Sequence, residues 1–433
     1  MSDSPASSDP IAEVLSSIVG PIWLQVGKVF AGTDTRVIND AHIVYDADGI
    51  RHVGVDLPPR DVIRMGQEKP DLLLPQHVLL PGLTDAHTHL FLEGGETDTE
   101  KRSAHLKLSP DDQLDLAQQR LRRLVAIGIT AVREAGDKAG VGLALQGRYR
   151  SPHRGIMPYV DAPGAAINHQ KRYGSFMARP MEEYGSPEAT VEARIADGAH
   201  RIKLLATGII NFEKGAVTAK PQMPVEELST FVNASRDRGK HTMVHCSGND
   251  GVDNCIAARV DTVEHGYFID DDQLSRIRDA DTVWVPTFAP VQFQIDEPEH
   301  IGWSEQVCTN LQRIIDGHSR SLVKAQELGV RIVAGSDAGS HGVPHGWGFL
   351  RELELMQSAG LTATQVLATA TGAGRKRMGY AESFGALLPG YKSRFLLTTH
   401  DVLQDVAQLR RPKTVVFDGH VITSGDHESQ PGL

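Results

Sequence analysis

Leu80-Pro-Gly-Leu-Thr-Asp-Ala-His-Thr-His-Leu90 decides how this chain is read. It has the form of an apolar strand that ends in two histidines, His87 and His89. Side chains on a strand alternate faces, so these two imidazoles point the same way and could grip one metal ion. The pair alone says little, because 19 His in 433 residues give roughly 0.8 such pairs by chance. Its weight comes from the strands on either side.

Upstream, Ile22–Val29, Ala41–Tyr45, Ile50–Val55 and Leu72–Leu80 read as strands, with Asp46-Ala-Asp-Gly49 as a turn. Residues 1–20 read as a loose tail with a short helix at Ile11–Ile18. Downstream, Glu93–Leu108 is polar and reads as a long loop. Ser109-Pro110-Asp111-Asp112 then opens a helix, with a serine cap, proline at the first position and acids on the positive end of the dipole. That helix ends at Gly128. Strands are expected at Leu79–Ala86, Ile129–Val132, Met157–Val160, Arg201–Leu205, Thr242–Cys246, Thr262–Glu264, Thr282–Val285 and Arg331–Ala334.

Amphipathic segments at Pro187–Asp197, Val225–Arg238, Asp271–Asp279 and Ser319–Leu328 lie between them. Strands alternating with helices mark a closed parallel barrel or a doubly wound sheet. Ala289–Gly317, which holds Trp303, reads as a long connection, either a lid or a surface insertion. Helices follow at Phe349–Ser358 and Thr364–Thr371, then strands at Phe395–Leu397, Val415–Phe417 and Val421–Thr423. Strands at both ends suggest one small β domain built from both termini.

Composition narrows the function. A net charge of −11 argues against a nucleic-acid surface, and no stretch approaches the roughly 20 apolar residues of a membrane span. The first ten residues lack the basic start of a signal peptide, and Cys246, Cys255 and Cys308 form no C-x-x-C pair. A cytoplasmic enzyme is expected, with a small-molecule substrate and a homo-oligomeric assembly.

The candidate chemistry sits at strand ends. His87 and His89 end the first strand, Lys203 lies in the fourth, His245 ends the fifth, His265 follows the sixth and Asp337 follows the eighth. Barrel enzymes build their sites at that face. Imidazoles and a carboxylate converging there suit Zn²⁺ and its neighbours. Lys203, flanked by Ile202 and Leu204, needs an explanation of its own, because a buried unpaired ammonium is costly.

Pro-Gly-Leu-Thr-Asp-Ala-His-Thr-His, Lys203, Val-Glu-His-Gly and Gly-Ser-Asp-Ala-Gly, in this order, resemble the amidohydrolase superfamily, in its imidazolonepropionase-like and prolidase-like branch. The resemblance runs from Leu24 to Thr423. It implies an α/β fold, a (β/α)8 TIM barrel over residues 81–379, with a β-sandwich formed by 21–80 plus 380–433. It also implies two divalent metal ions, with Zn²⁺ expected. His87, His89 and Asp337 would hold the first, His245 and His265 the second, and a carboxylated Lys203 would bridge them. A carbamate is an anion, which removes the electrostatic objection to Lys203.

The implied activity is hydrolysis of an amide-type C–N bond in a small, carboxylate-bearing molecule, through a metal-bridged hydroxide. Asp337 would be the general base and acid. The alternative use of the same site is ring-closing dehydration. His169, in the loop after the third strand, is the expected substrate contact, and Lys171 and Arg172 either hold a substrate carboxylate or form a solvated basic loop. Arg133 reads as support for the barrel. Two departures from the family stand out: Ala206-Thr-Gly-Ile-Ile-Asn211 replaces a double glycine at the pocket, which argues against a peptide substrate, and Gly390-Tyr-Lys-Ser-Arg-Phe-Leu396 replaces the usual opening of the C-terminal strand. A mononuclear deaminase is disfavoured, because Ser247-Gly-Asn-Asp250 stands where those relatives carry a glutamate.

Overall fold

A computed structural model describes residues 10–296, 302–372 and 375–424. Residues 1–9 of the expected tail and 297–301 of the expected long connection lie outside the described residues.

The first strands follow the β pattern. β1 (Ile22–Phe30) pairs antiparallel with β2 (Val37–Tyr45), which turns through Asp46–Gly49 into β3 (Ile50–Gly54). Asp46 closes that turn: its N–H donates to Gly49 O at 3.0 Å and its carboxylate accepts from Asp48 N and Gly49 N. β4 (Leu72–Pro81) lies parallel to β1. The short helix expected at Ile11–Ile18 is present as Pro10–Ser17, and its Leu15, 2% exposed, packs into the core under this sheet.

Past Gly82 the chain alternates. β5 (Leu83–Thr88), β6 (Ile129–Glu134) and β7 (Tyr159–Asp161) form one parallel sheet of three strands. A second, seven-stranded parallel sheet contains β8 (Ala166–Asn168), β9 (Ala178–Pro180), β10 (Ile202–Leu205), β11 (Thr242–Cys246), β12 (Thr262–His265), β13 (Val283–Val285) and β14 (Arg331–Ile332), in the order 14-13-12-11-10-8-9. All eight expected strands are present, and β8 and β9 are additional. The expected single closed ladder is divided in two. Between β7 and β8 the chain reads Ala162-Pro-Gly-Ala165, where Pro163 has no N–H to donate and Gly164 takes φ 66°, so pairing stops there.

On the other side the two sheets meet. Ala86 N–H donates to Ala334 O at 3.0 Å, Asp337 N–H to His87 O at 2.7 Å and His89 N–H to Ala338 O at 2.7 Å. Gly335 permits this approach: a Cβ there would lie 2.7 Å from the His87 Cβ.

The helices begin where caps are written. Ser109 Oγ accepts from Asp112 N at the start of Pro110–Ala126, and Asp270 forms a capping box with Gln273 at the start of Asp271–Asp279. Two expected loops contain helix. Within Glu93–Leu108, Asp98 caps a helix at Thr99–His105. The long connection holds helices at Ala289–Asp296 and Glu305–Leu328, the second capped by Ser304 and carrying Val307, Leu311, Ile314, Leu322 and Ala325 on its buried face. No described helix is long and apolar enough to cross a membrane.

The chain ends on the first sheet. β15 (Arg394–Thr398) pairs antiparallel with β4, and β16 (Lys413–Phe417) and β17 (His420–Ser424) follow, giving the order 17-16-15-4-1-2-3. Leu24, Val26, Ile43 and Tyr45 from one end thus share a core with Phe395, Leu397 and Val416 from the other. Both termini build one seven-stranded layer, hydrogen-bonded through β4.

Candidate metal centre

The strand ends converge. The ligand atoms of His87, His265 and Asp337 lie within 4.8 Å of one another, and all three residues are buried. Nε2 of His87 and of His89 face Asp337 Oδ1 at 3.6 and 3.4 Å, and His265 Nδ1 faces Asp337 Oδ2 at 3.9 Å. The His245 and His265 rings stand 4.7 Å apart, and those of His87 and His265 4.8 Å. Lys203, buried in β10, lines the same cavity of about 410 Å³. His265 and Asp337 take left-handed backbone angles, φ 66° and 53°, which cost non-glycine residues about 1–2 kcal/mol each. Such strain clusters where side-chain aim matters.

The electrostatics suit a cation. Burial pushes the imidazoles of His87, His245 and His265 below their usual range, His245 to about 4, so each is neutral at neutral pH and has a lone pair to offer. Burial would raise the Asp337 carboxyl, but the His89 and His87 rings beside it bring it below its usual value. Burial also lowers Lys203 to about 8. His87 Nε2, His89 Nδ1, Glu134 Oε1 and Asp337 Oδ1 are buried without a hydrogen-bond partner among the described residues. Buried polar atoms are rarely left so. Four imidazoles, a carboxylate and orphaned donor atoms in one place are what a divalent ion of the Zn²⁺ kind requires, and the residues present fit it.

The supports of these side chains were not foreseen, apart from Arg133. Glu264 accepts from His87 Nδ1 at 2.6 Å and from Arg133 Nη2 at 2.7 and 2.8 Å, and it also takes the Thr262 hydroxyl. Arg133 is thereby a structural residue, as expected. Thr287 meets His265 Nδ1 at 2.7 Å. Asp85 accepts from Ser336 N at 2.9 Å and Ser336 Oγ at 2.5 Å, which pins the Asp337 turn to β5. A glutamate inside Thr-Val-Glu-His was the available signal, since a buried carboxylate needs a partner just as Lys203 did.

The expected substrate residues lie elsewhere. His169 is held between two carboxylates, Nδ1 to Glu182 and Nε2 to Glu227, each at 2.8 Å. It lines a separate surface groove together with Lys171, and Arg172 donates to Lys220 O at 2.6 Å. This loop reaches the cavity further on, first through Tyr173, whose ring stands 5.2 Å from that of His245. Phe176, Met177, Ile209, Ile210 and Phe212 make the wall beside it apolar, and Arg102, Gln294 and His341 line it as well.

The chain is similar to known proteins over most of its length. The chain is 26% identical to a crystallised Xaa-Pro dipeptidase with methionine bound in its active site, covering 94% of this chain and 100% of that one with a TM-score of 0.77. The crystal structure of Aspergillus niger ochratoxinase superposes with a TM-score of 0.76 at 20% identity, over 95% of this chain and 97% of that one. An uncharacterised protein of Mycobacterium tuberculosis is 23% identical over 351 residues, 79% of this chain and 84% of that protein. The profile of the amidohydrolase family matches residues 78–422, which contain every candidate ligand, and the chain belongs to that family of enzymes.

Proposed function

We propose that this enzyme hydrolyses an amide-type C–N bond in a small, carboxylate-bearing molecule with the help of two divalent metal ions. The observation that carries the reading is the convergence of His87, His89, Lys203, His245, His265 and Asp337 on one buried cavity, with donor atoms left unpartnered. His87, His89 and Asp337 would hold one ion, His245 and His265 the other, and Lys203, as its carbamate, would lie between them. When bound, such ions supply Lewis acidity toward the scissile carbonyl and make a nearby water more acidic.

The chain's own groups do the rest. Asp337, ionised at neutral pH, accepts the proton lost by the attacking water and returns it to the nitrogen as the C–N bond breaks. Glu264 fixes the His87 tautomer with the proton on Nδ1, which leaves Nε2 free on the cavity side. The apolar wall from Tyr173 to Phe212 keeps bulk water from the reacting carbonyl. In this reading residues 81–379 act as one (β/α)8 barrel, residues 21–80 with 380–433 form the β-sandwich domain, and the enzyme works as a cytoplasmic homo-oligomer.

The test is to incubate the Zn²⁺-loaded protein with pooled N-acyl amino acids, dipeptides and aryl amides and to follow masses. Gain of one water with splitting into two products is expected. Loss of one water without splitting would replace hydrolysis by ring closure.

A further inference from the structure

Building on the hydrolytic reading, we propose that Arg102 is the specificity residue that receives the substrate carboxylate, and that this carboxylate belongs to the amine half of the amide. The substrate class is then N-acylated amino acids with a bulky apolar acyl group.

Arg102 sits on the helix Thr99–His105 that follows β5 and lines the cavity beside His89, Asp337 and Ser340. Its hydrogen bonds go to main-chain carbonyls: Nη1 to Glu93 O at 2.7 Å and Glu96 O at 3.3 Å, Nη2 to Gly339 O at 2.9 Å. A guanidinium carries five N–H donors in a planar fork. Nε and one Nη2 hydrogen therefore have no partner among the described residues. The neighbouring acids are engaged otherwise: Glu93 pairs with Arg120 and lies 3.5 Å from His105 Nδ1, and Glu96 takes Asp98 N at 2.8 Å and Lys101 at 3.3 Å.

A half-buried cation with no carboxylate of its own is poised for one supplied by a ligand, and the fork geometry suits bidentate binding. Arg102 is the one guanidinium among the described residues that line this cavity. Lys171 and Arg172, the cations singled out from the sequence, are not among them.

The position also orients the substrate. Arg102 is tied to Gly339, two residues beyond Asp337, and Asp337 returns its proton to the leaving nitrogen. The amine half therefore lies toward Arg102. The acyl half faces Tyr173, Phe176, Ile209 and Phe212, from the loops after β8 and β10.

The test uses uncleavable sulfonamides titrated calorimetrically into the Zn²⁺-loaded protein. N-benzenesulfonyl-leucine is expected to bind roughly 10- to 100-fold more tightly than its carboxamide, the worth of one charge-assisted pair. Arg102→Met should erase that preference while leaving carboxamide binding within about threefold, and Arg102→Lys should restore part of it. N-methanesulfonyl-leucine should bind more weakly than the benzene analogue in all three proteins. Moving the carboxylate to the acyl side, as in 4-carboxybenzenesulfonyl-leucinamide, should forfeit the gain that depends on Arg102.

No acid preference in the wild type, or equal weakening of acid and carboxamide in Arg102→Met, would overturn the assignment and leave Arg102 a staple of its loop. Arg102-dependent binding of the acid with no cleavage of N-benzoyl-leucine or of any pooled amide would sink the hydrolytic reading alone. Cleavage without carboxylate preference would sink the Arg102 proposal alone.

Discussion

Glu264→Gln keeps the volume of a side chain and removes one buried charge. In the native site both members of the Glu264–Arg133 pair are 0% exposed, and Arg133 is held further by Ala86 O at 2.5 Å and Thr262 Oγ1 at 3.2 Å. The substitution leaves Arg133 a buried cation without a carboxylate, a change that costs about 3–5 kcal/mol. Hydrogen bonds kept by the amide oxygen return about 1 kcal/mol, so a net loss of about 2–4 kcal/mol is expected. His87 loses its charged acceptor at the same time, and metal affinity should fall about 10- to 100-fold.

Urea unfolding of the metal-free protein, followed through the buried Trp284, reads the first effect, and titration against a zinc chelator reads the second. Arg133→Met combined with Glu264→Gln should be less destabilised than the two single changes added together, because neither charge is then stranded. A loss under about 1 kcal/mol with unchanged metal affinity would refute the reasoning, since breaking a buried ion pair is expected to cost more.

Lys203→Ala should lower bound metal per chain, measured by elemental analysis, and formate or acetate should restore part of it; unchanged metal content would remove Lys203 from the centre. Asp337→Asn should retain metal but lose turnover by about 10²- to 10⁴-fold. Near-normal activity would take the proton transfer away from Asp337. His318 is buried, meets Pro286 O at 3.0 Å through Nε2, and burial lowers its pKa to about 4. An unfolded histidine binds its proton near pH 6.5, so between there and pH 4 the unfolded chain holds more protons and stability drops as the pH is lowered, by about 3 kcal/mol in all. His318→Leu should flatten that part of the pH–stability curve; an unchanged slope would assign it to other groups.

Local chemistry made much of this fold legible. The helix Asp271–Asp279 is found to the residue because Asp270 and Gln273 close both of its first hydrogen bonds locally. The parallel strands are apolar runs between turn formers, and that pattern survives any tertiary arrangement. β8 and β9, three residues each, are too short to show a period. Glu305–Leu328 was read only from Ser319, because Gly317 interrupts a stripe that the core nonetheless uses from Val307 onward.

In the site, the candidate ligands were visible because a histidine or aspartate after an apolar strand is a local feature. The pairing of Arg133 with Glu264 joins residues 131 apart and depends on which side chains meet inside the sheets. Arg102 lies in a polar stretch with no period at all. His169 shows the reverse: a suggestive residue type whose partners, Glu182 and Glu227, come from segments that sequence order does not bring near.

β4 stands between β1 and β15 and runs on through Gly82 into the strand that carries His87. Its two neighbours leave the ribosome at very different times. β1 is already present when β4 emerges, but Phe395, the partner of Pro81, follows about 300 residues later. At roughly 5–20 residues per second that delay is on the order of 15–60 s. Throughout it, one edge of β4 offers unpaired amides and carbonyls to any strand nearby, the condition under which nascent chains aggregate. Substitutions in β15 should accordingly register first in how much protein a cell recovers, well before they register in what the recovered protein does.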